Sequence, residues 1–213
     1  LPPRTANGIL GHDTCTPYKH PVSGTLRVHE RYLSLQGESA FAGLPCVFIR
    51  LTGCDLRCSY CDTAYAFTGG KTLTLDSILE QTTALAEGYP EPPLVELTGG
   101  EPLLQKETPA LLAALADRGF TVLLETSGAH DISGVDARVH RIVDLKCPSS
   151  GESERNLPAN LHHLRASDEV KCVIGTREDY DWAKTQLRQL FGKCEVLFSW
   201  VNPLESDQQS DVL

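Results

Sequence analysis

Three thiols fall within eight residues in the run Gly53-Cys54-Asp55-Leu56-Arg57-Cys58-Ser59-Tyr60-Cys61-Asp62-Thr63, spaced C-x3-C-x2-C. Cys54, Cys58 and Cys61 can converge on one metal centre, yet they are one ligand short of the four that close a zinc or iron-sulfur site. An open coordination position implies chemistry on a molecule bound there. A closed zinc site would need a fourth ligand, and Cys46 alternates within a strand-like run and reads as a core thiol. A ferredoxin-type carrier would want four cysteines per cluster.

Other candidates surround the triplet. Thr98-Gly99-Gly100-Glu101-Pro102 is either an ordinary strand-to-helix turn or a loop whose paired glycines let backbone approach a ligand. Gln36 and Glu38 offer an amide and a carboxylate on a turn that contains Gly37, a solvated turn or the reader of a donor-and-acceptor edge. Arg50 closes the strand before the triplet, where its guanidinium either makes a surface ion pair or grips a carboxylate through two hydrogen bonds. Glu125 ends another strand and could contact a ribose or move a proton.

These residues need a scaffold that brings them together. Thr25 to Leu35, Cys46 to Thr52, Leu94 to Thr98, Phe120 to Glu125, Arg141 to Leu145, Val170 to Ile174 and Cys194 to Ser199 read as strands. Helices are expected after Thr74, after the Thr108-Pro109 cap pair and after Thr176, with Gly88 and Gly119 ending the first two. Strands separated by helices imply an α/β fold with parallel pairing and right-handed crossovers. The expectation is an open, partial TIM-type βα barrel of about six parallel strands. In such a fold the chemistry lies at the C-terminal strand ends, where Arg50, Cys54, Thr98, Glu125, Asp144 to Lys146 and Ser199 all fall.

The expected organisation is an extended arm over 1–23, one domain over 24–202 and a polar tail over 203–213. Methionine is absent even at position 1, so the first residues are expected to be a processed or artificially added start rather than the native one. Nineteen Lys and Arg against 28 Asp and Glu give a formal charge of −9, which argues against direct nucleic-acid binding through a broad basic face. No apolar run reaches the ~18 residues of a membrane span, and the N-terminus lacks the order of a secretory signal. A soluble, cytoplasmic protein is expected, and the clustering of its eight cysteines favours metal over disulfides.

With Tyr60 before the last cysteine and Gly-Gly-Glu-Pro downstream, the triplet resembles the radical S-adenosylmethionine superfamily. The resemblance implies a [4Fe-4S] cluster on Cys54, Cys58 and Cys61, with the fourth iron holding S-adenosylmethionine. Reductive cleavage of that molecule then yields a hydrogen-abstracting 5′-deoxyadenosyl radical. Leu33-Ser-Leu-Gln-Gly-Glu38-Ser39, Cys61-Asp62-Thr63 and Asp144-Leu-Lys-Cys-Pro-Ser-Ser-Gly151 narrow the match. Over about residues 27 to 202 the chain is similar to the 7-carboxy-7-deazaguanine synthases. Those lyases contract 6-carboxy-5,6,7,8-tetrahydropterin to a deazapurine with loss of ammonia, on the path to queuosine.

That family implies substrate contacts at Leu35, Gln36, Gly37, Glu38, Arg50 and Thr98. It implies S-adenosylmethionine contacts at Tyr60, Cys61, Asp62, Gly100, Asp144, Leu145, Lys146, Ser199, Trp200, Val201 and Asn202, although Trp200 to Asn202 depart from the commoner Ser-Pro-Val pattern. Thr63 is implied as a Mg2+ ligand; on the residues alone it reads as a cap of the segment after the cluster. Further implications are an electron donor such as flavodoxin or ferredoxin, a homodimer, and a C-terminal segment closing the pterin pocket, which this sequence lacks. Either the chain is truncated or its pocket closes differently. Two rivals share the triplet: an activating enzyme of glycyl-radical proteins, which would need a protein partner, and a zinc-stabilised binding module.

Overall fold

Apolar and β-branched runs, alternating in β1 and nearly continuous in the central strands, build most of the eight strands in the computed structural model, which describes residues 22–89, 91–190 and 192–201. The expected arm lies almost wholly outside these residues, and the expected tail wholly so. The strands are β1 (Thr25–Leu35), β2 (Pro45–Leu51), β3 (Lys71–Thr74), β4 (Leu94–Gly99), β5 (Val122–Thr126), β6 (His140–Asp144), β7 (Glu169–Ile174) and β8 (Glu195–Trp200). They form one sheet in the order β3-β1-β2-β4-β5-β6-β7-β8. From β2 through β8 every neighbouring pair is parallel, giving the six parallel strands expected. The sheet is open, with β3 and β8 at its edges.

The antiparallel end is where structure and expectation part. β1 runs antiparallel to β2, and the four-residue β3, which sequence patterning misses, pairs antiparallel with β1. Four residues carry too little periodicity to announce a strand. The expected alternation of strands with helices is also incomplete. No helix connects β5 to β6, and β6 to β7 is bridged by 3-10 turns and the single-turn α3 (Asn160–His163).

The long helices fall where expected. In α1 (Leu75–Ala86) the Thr74 side chain accepts from the Ser77 amide, and Gly88 at φ +91° follows the end. For α2 (Thr108–Asp117) the cap expectation is corrected: Glu107 holds the N-cap position, and buried Thr108 donates its hydroxyl to the Pro102 carbonyl at 2.6 Å. That bond ties α2 to the turn after β4. In α4 (Arg177–Leu187) Thr176 and Asp179 form a reciprocal capping box.

Strand alternation separates core from site. Val47, Ile49, Leu51, Val95, Leu97, Val122 and Leu124 pack against Ile78 and Leu79 of α1 and Leu111, Leu112 and Leu115 of α2. Val170, Cys172 and Ile174 of β7 pack in a second cluster with Ala183 and Leu187 of α4. The intervening residues, Phe48, Arg50, Glu96, Thr98, Glu125, Ile142, Asp144 and Lys171, line a cavity on the other face. Cys46, Phe48, Leu94 and Leu123 form a small apolar cluster on that side, and burial pushes the Cys46 thiol up to about 12, as befits a core residue.

Candidate active site

The cavity measures about 650 Å3 and lies at the C-terminal ends of the parallel strands. Its lining contains all three thiols of the triplet together with Tyr60, Asp62, Thr63, Gly100, Asp144, Lys146, Ser199, Trp200 and Val201. Gln36, Gly37, Glu38, Arg50, Thr98 and Glu125 line it as well. Residues spread over more than 160 sequence positions therefore share one space. The side chains of Leu35 and Leu145 do not join them: Leu35 is 62% exposed and Leu145 packs in the β7–α4 core. A ligand contact from either would have to come through backbone. Asn202 lies outside the described residues.

The cysteine loop leaves β2 through Gly53 at φ +100° and is held from several sides. Asp55 accepts from Arg155 at 2.7 Å and pairs with His130 at 3.1 Å. The Arg57 amide donates to Glu152, and the Ser59 amide and hydroxyl donate to the carbonyls of Ser150 and Ser149. Cys54, Cys58 and Cys61 are half-buried, and burial pushes the Cys54 and Cys58 thiols up. Among the described residues no three His, Cys, Asp or Glu side chains converge at the spacing of a single ion. In an iron-sulfur cluster each thiolate takes a different iron, so three thiols lining one cavity need not meet at a single point as they would on one zinc ion.

Gly99 and Gly100 are packed against this loop. A Cβ on Gly100 would sit 2.0 Å from the Gly53 carbonyl oxygen, and one on Gly99, at φ +130°, 2.3 Å from the Leu51 oxygen. The Glu101 amide donates to Gly53 at 2.8 Å, so the two loops are joined by backbone. Glu101 is fully buried, with its carboxylate accepting from the Leu103 amide, the Thr126 hydroxyl and the Ser127 amide at 2.7–2.8 Å. Gly100→Ala is expected to push the cysteine loop out of place and cut the iron held per chain several-fold, checked by iron and sulfide analysis beside the wild type.

Deeper in the cavity the polar groups are already organised. Arg50 donates to Glu30 at 2.8 Å and to the Tyr32 hydroxyl at 3.1 Å, while Nη1 has no hydrogen-bond partner among the described residues. Burial opposes the Arg50 charge, but Glu30 and Tyr32 raise its pKa overall. Glu125 is held between the Thr98 hydroxyl at 2.8 Å and the Lys171 ammonium at 3.0 Å, and Lys171 also pairs with Glu38. Burial pushes the Glu125 carboxyl up, but the charge and hydrogen bond of Lys171 outweigh it and leave it lowered. Glu96 is pushed up to about 8, first by burial and then by the charge of Glu125.

The cluster side fits a polar ligand. Lys146 pairs with Asp144 Oδ2 at 2.6 Å, but Asp144 Oδ1 and the Tyr60 hydroxyl are buried with no hydrogen-bond partner among the described residues. Such orphaned atoms cost about 1–3 kcal/mol each unless a ligand or water satisfies them. The amino and carboxylate groups of S-adenosylmethionine could supply partners here. Thr63 lies beside them: it stands at the N-cap of the 3-10 turn Ala64–Phe67, but its side chain makes no capping bond and sits 3.8 Å from the Cys61 sulfur.

Sequence reasoning missed Glu96, Lys171, His130 and the buried role of Glu101. Glu96 and Lys171 carried a signal, as charges at alternate positions in otherwise apolar strands. His130 carried none, since its partner Asp55 is 75 residues away. Cys46 proves to be the core thiol expected, and His162 and His163 are exposed on α3.

The profile of the Radical SAM superfamily matches residues 48–149. The chain is 46% identical to a 7-carboxy-7-deazaguanine synthase of Chlorobaculum tepidum, covering 81% of this chain and 79% of that one. It is likewise 46% identical to the synthase of Koribacter versatilis, over 77% of this chain and 71% of that one. Its fold is similar to the crystal structure of QueE from Escherichia coli, with a TM-score of 0.69 at 24% identity and 87% of each chain covered.

Proposed function

The chain belongs to the 7-carboxy-7-deazaguanine synthase family of the radical S-adenosylmethionine superfamily, and from that membership we propose that it converts 6-carboxy-5,6,7,8-tetrahydropterin to 7-carboxy-7-deazaguanine with release of ammonia. The observation that carries the reading is the single cavity bordered by the three thiols at one end and by Arg50, Thr98 and Glu125 deeper in. Bound to Cys54, Cys58 and Cys61, a [4Fe-4S] cluster would supply the electron that cleaves S-adenosylmethionine and so starts hydrogen abstraction from the pterin.

The protein's residues bind, orient and exclude water. Tyr60, Asp62, Gly100, Asp144 and Lys146 hold S-adenosylmethionine, with further contacts from Ser199 to Val201 and the backbone of Leu145. Arg50 takes the pterin carboxylate, its guanidinium braced by Glu30 and Tyr32. Glu125, whose carboxyl Lys171 holds toward the ionised form, accepts a proton from the ring as ammonia is lost in this reading. Thr63 would supply the protein's ligand to Mg2+ alongside the substrate carboxylate and water, and the ion would serve to orient the carboxylate rather than to activate water. A flavodoxin or ferredoxin as reductant, a homodimer and a cytoplasmic location complete the reading. No helix among the described residues is long and apolar enough to cross a membrane.

Thr63→Ala is expected to keep the cluster and S-adenosylmethionine cleavage while flattening the response of turnover to added Mg2+, seen by titrating the metal under anaerobic conditions. The test of the reading is the stimulus for cleavage. In anaerobically reconstituted protein, carboxytetrahydropterin should raise 5′-deoxyadenosine formation well above the substrate-free rate. Colourless protein with bound zinc, or cleavage indifferent to the pterin, would overturn it.

A further inference from the structure

Gln36 stands where a substrate-reading amide is expected, yet the protein engages each of its polar groups. Its amide N–H donates to the Leu44 carbonyl at 2.8 Å, and its carbonyl accepts from the Gly43 amide at 2.7 Å. Its side-chain oxygen accepts from the Glu38 amide at 3.0 Å, and its side-chain nitrogen donates to Glu96 Oε2. The residue left with capacity is Glu96. It sits on β4 two positions before Thr98 and lines the cavity, and Gln36 is its carboxyl's hydrogen-bond partner among the described residues. Phe48 and Leu123 stand beside it in register on the neighbouring strands. Apolar flanks make any hydrogen bond formed there stronger and any unmet one costlier.

We propose that Glu96 is a specificity-determining residue, whose carboxylate accepts the paired N–H donors of the pyrimidine edge, ring N3–H and the 2-amino group, while Gln36 acts as the positioning residue that aims it. The inference rests on the pterin reading above and names which group selects the 2-amino ring. A carboxylate matches two adjacent donors; it does not match a 2-oxo ring, which sets a carbonyl against it. The raised pKa of Glu96 adds a consequence. Gln36 and Cys46 face it, together with the charged Glu38, Glu125 and Lys171. Because the free carboxyl holds a proton below about pH 8, binding a two-donor edge must expel that proton. Affinity therefore rises with pH and levels off above that value.

The experiment is equilibrium binding of 6-carboxypterin and of its 2-oxo analogue, 6-carboxylumazine, to anaerobically reconstituted protein with S-adenosylmethionine, between pH 6 and 9. Wild type is expected to prefer the pterin by at least about tenfold, with affinity climbing toward pH 8. Glu96→Gln keeps the size of the side chain and its contact with Gln36; its preference should collapse toward unity and its pH dependence flatten, with iron content unchanged. Gln36→Leu should weaken the preference less. Equal affinity of wild type for the two rings, or undiminished preference in Glu96→Gln, overturns the proposal. Wild type that turns over carboxytetrahydropterin without this preference sinks the role of Glu96 alone; wild type that neither binds nor turns over pterins sinks both readings.

Discussion

Cys58→Ala is expected to abolish S-adenosylmethionine cleavage, a fall of at least about a thousandfold that ends at the background of protein without cluster. Three thiolates on the four irons leave one iron open for a ligand, and Cys58→Ala removes one of those three anchors. Asp55, Arg57 and Ser59 hold the loop independently of any metal, so the variant should fold with an unchanged circular dichroism spectrum. Cys46→Ala is the control. That thiol is buried in the cluster with Phe48, Leu94 and Leu123, and its loss should lower stability by about 1 kcal/mol while leaving the brown colour and the cleavage rate intact. Cleavage retained in the first variant, or cluster lost in the second, would mean that the thiols were assigned wrongly.

Arg50→Ala is expected to raise KM for the pterin roughly a hundredfold with a much smaller change in kcat. Removing one partner of a buried charge pair costs about 2–5 kcal/mol, mostly because the other charge is left unpaired. The carboxylate is present in substrate and product alike, so Arg50 holds it equally before and during reaction, and its loss falls on KM. Arg50→Lys should recover only part of the loss, since an ammonium cannot keep its bonds to Glu30 and Tyr32 and also fork onto a carboxylate. Steady-state kinetics with matched iron content separate this from damage to the cluster. A fall in kcat with KM unchanged would place the substrate carboxylate elsewhere.

Where alternation was long and the end signals local, the sequence was readable. The patterned segments that became β1, β2 and β4 to β8 placed six parallel strands correctly, and Thr74 and Thr176 cap their helices through their own side chains. The triplet and Gly-Gly-Glu-Pro were legible as separate motifs. Their mutual packing was not, because it depends on Gly100 meeting Gly53 across the sheet. Thr108 misled for the same kind of reason: a hydroxyl able to cap a helix found a nearby carbonyl, that of Pro102, instead. The deep end of the site was the least legible. Glu96 and Lys171 look like stray charges in apolar strands until the fold sets them opposite Gln36, Glu38 and Glu125. Gln36 was found, but its hydrogen bonds to Glu96, Glu38, Gly43 and Leu44 were not.

The most direct measurement is mass spectrometry of the small molecules formed when reconstituted protein is incubated anaerobically with reductant, S-adenosylmethionine, Mg2+ and 6-carboxy-5,6,7,8-tetrahydropterin. The account predicts 7-carboxy-7-deazaguanine and ammonia in equal amounts, both absent when the substrate is omitted. Protein that carries its cluster and cleaves S-adenosylmethionine, yet returns the pterin unchanged, would contradict it.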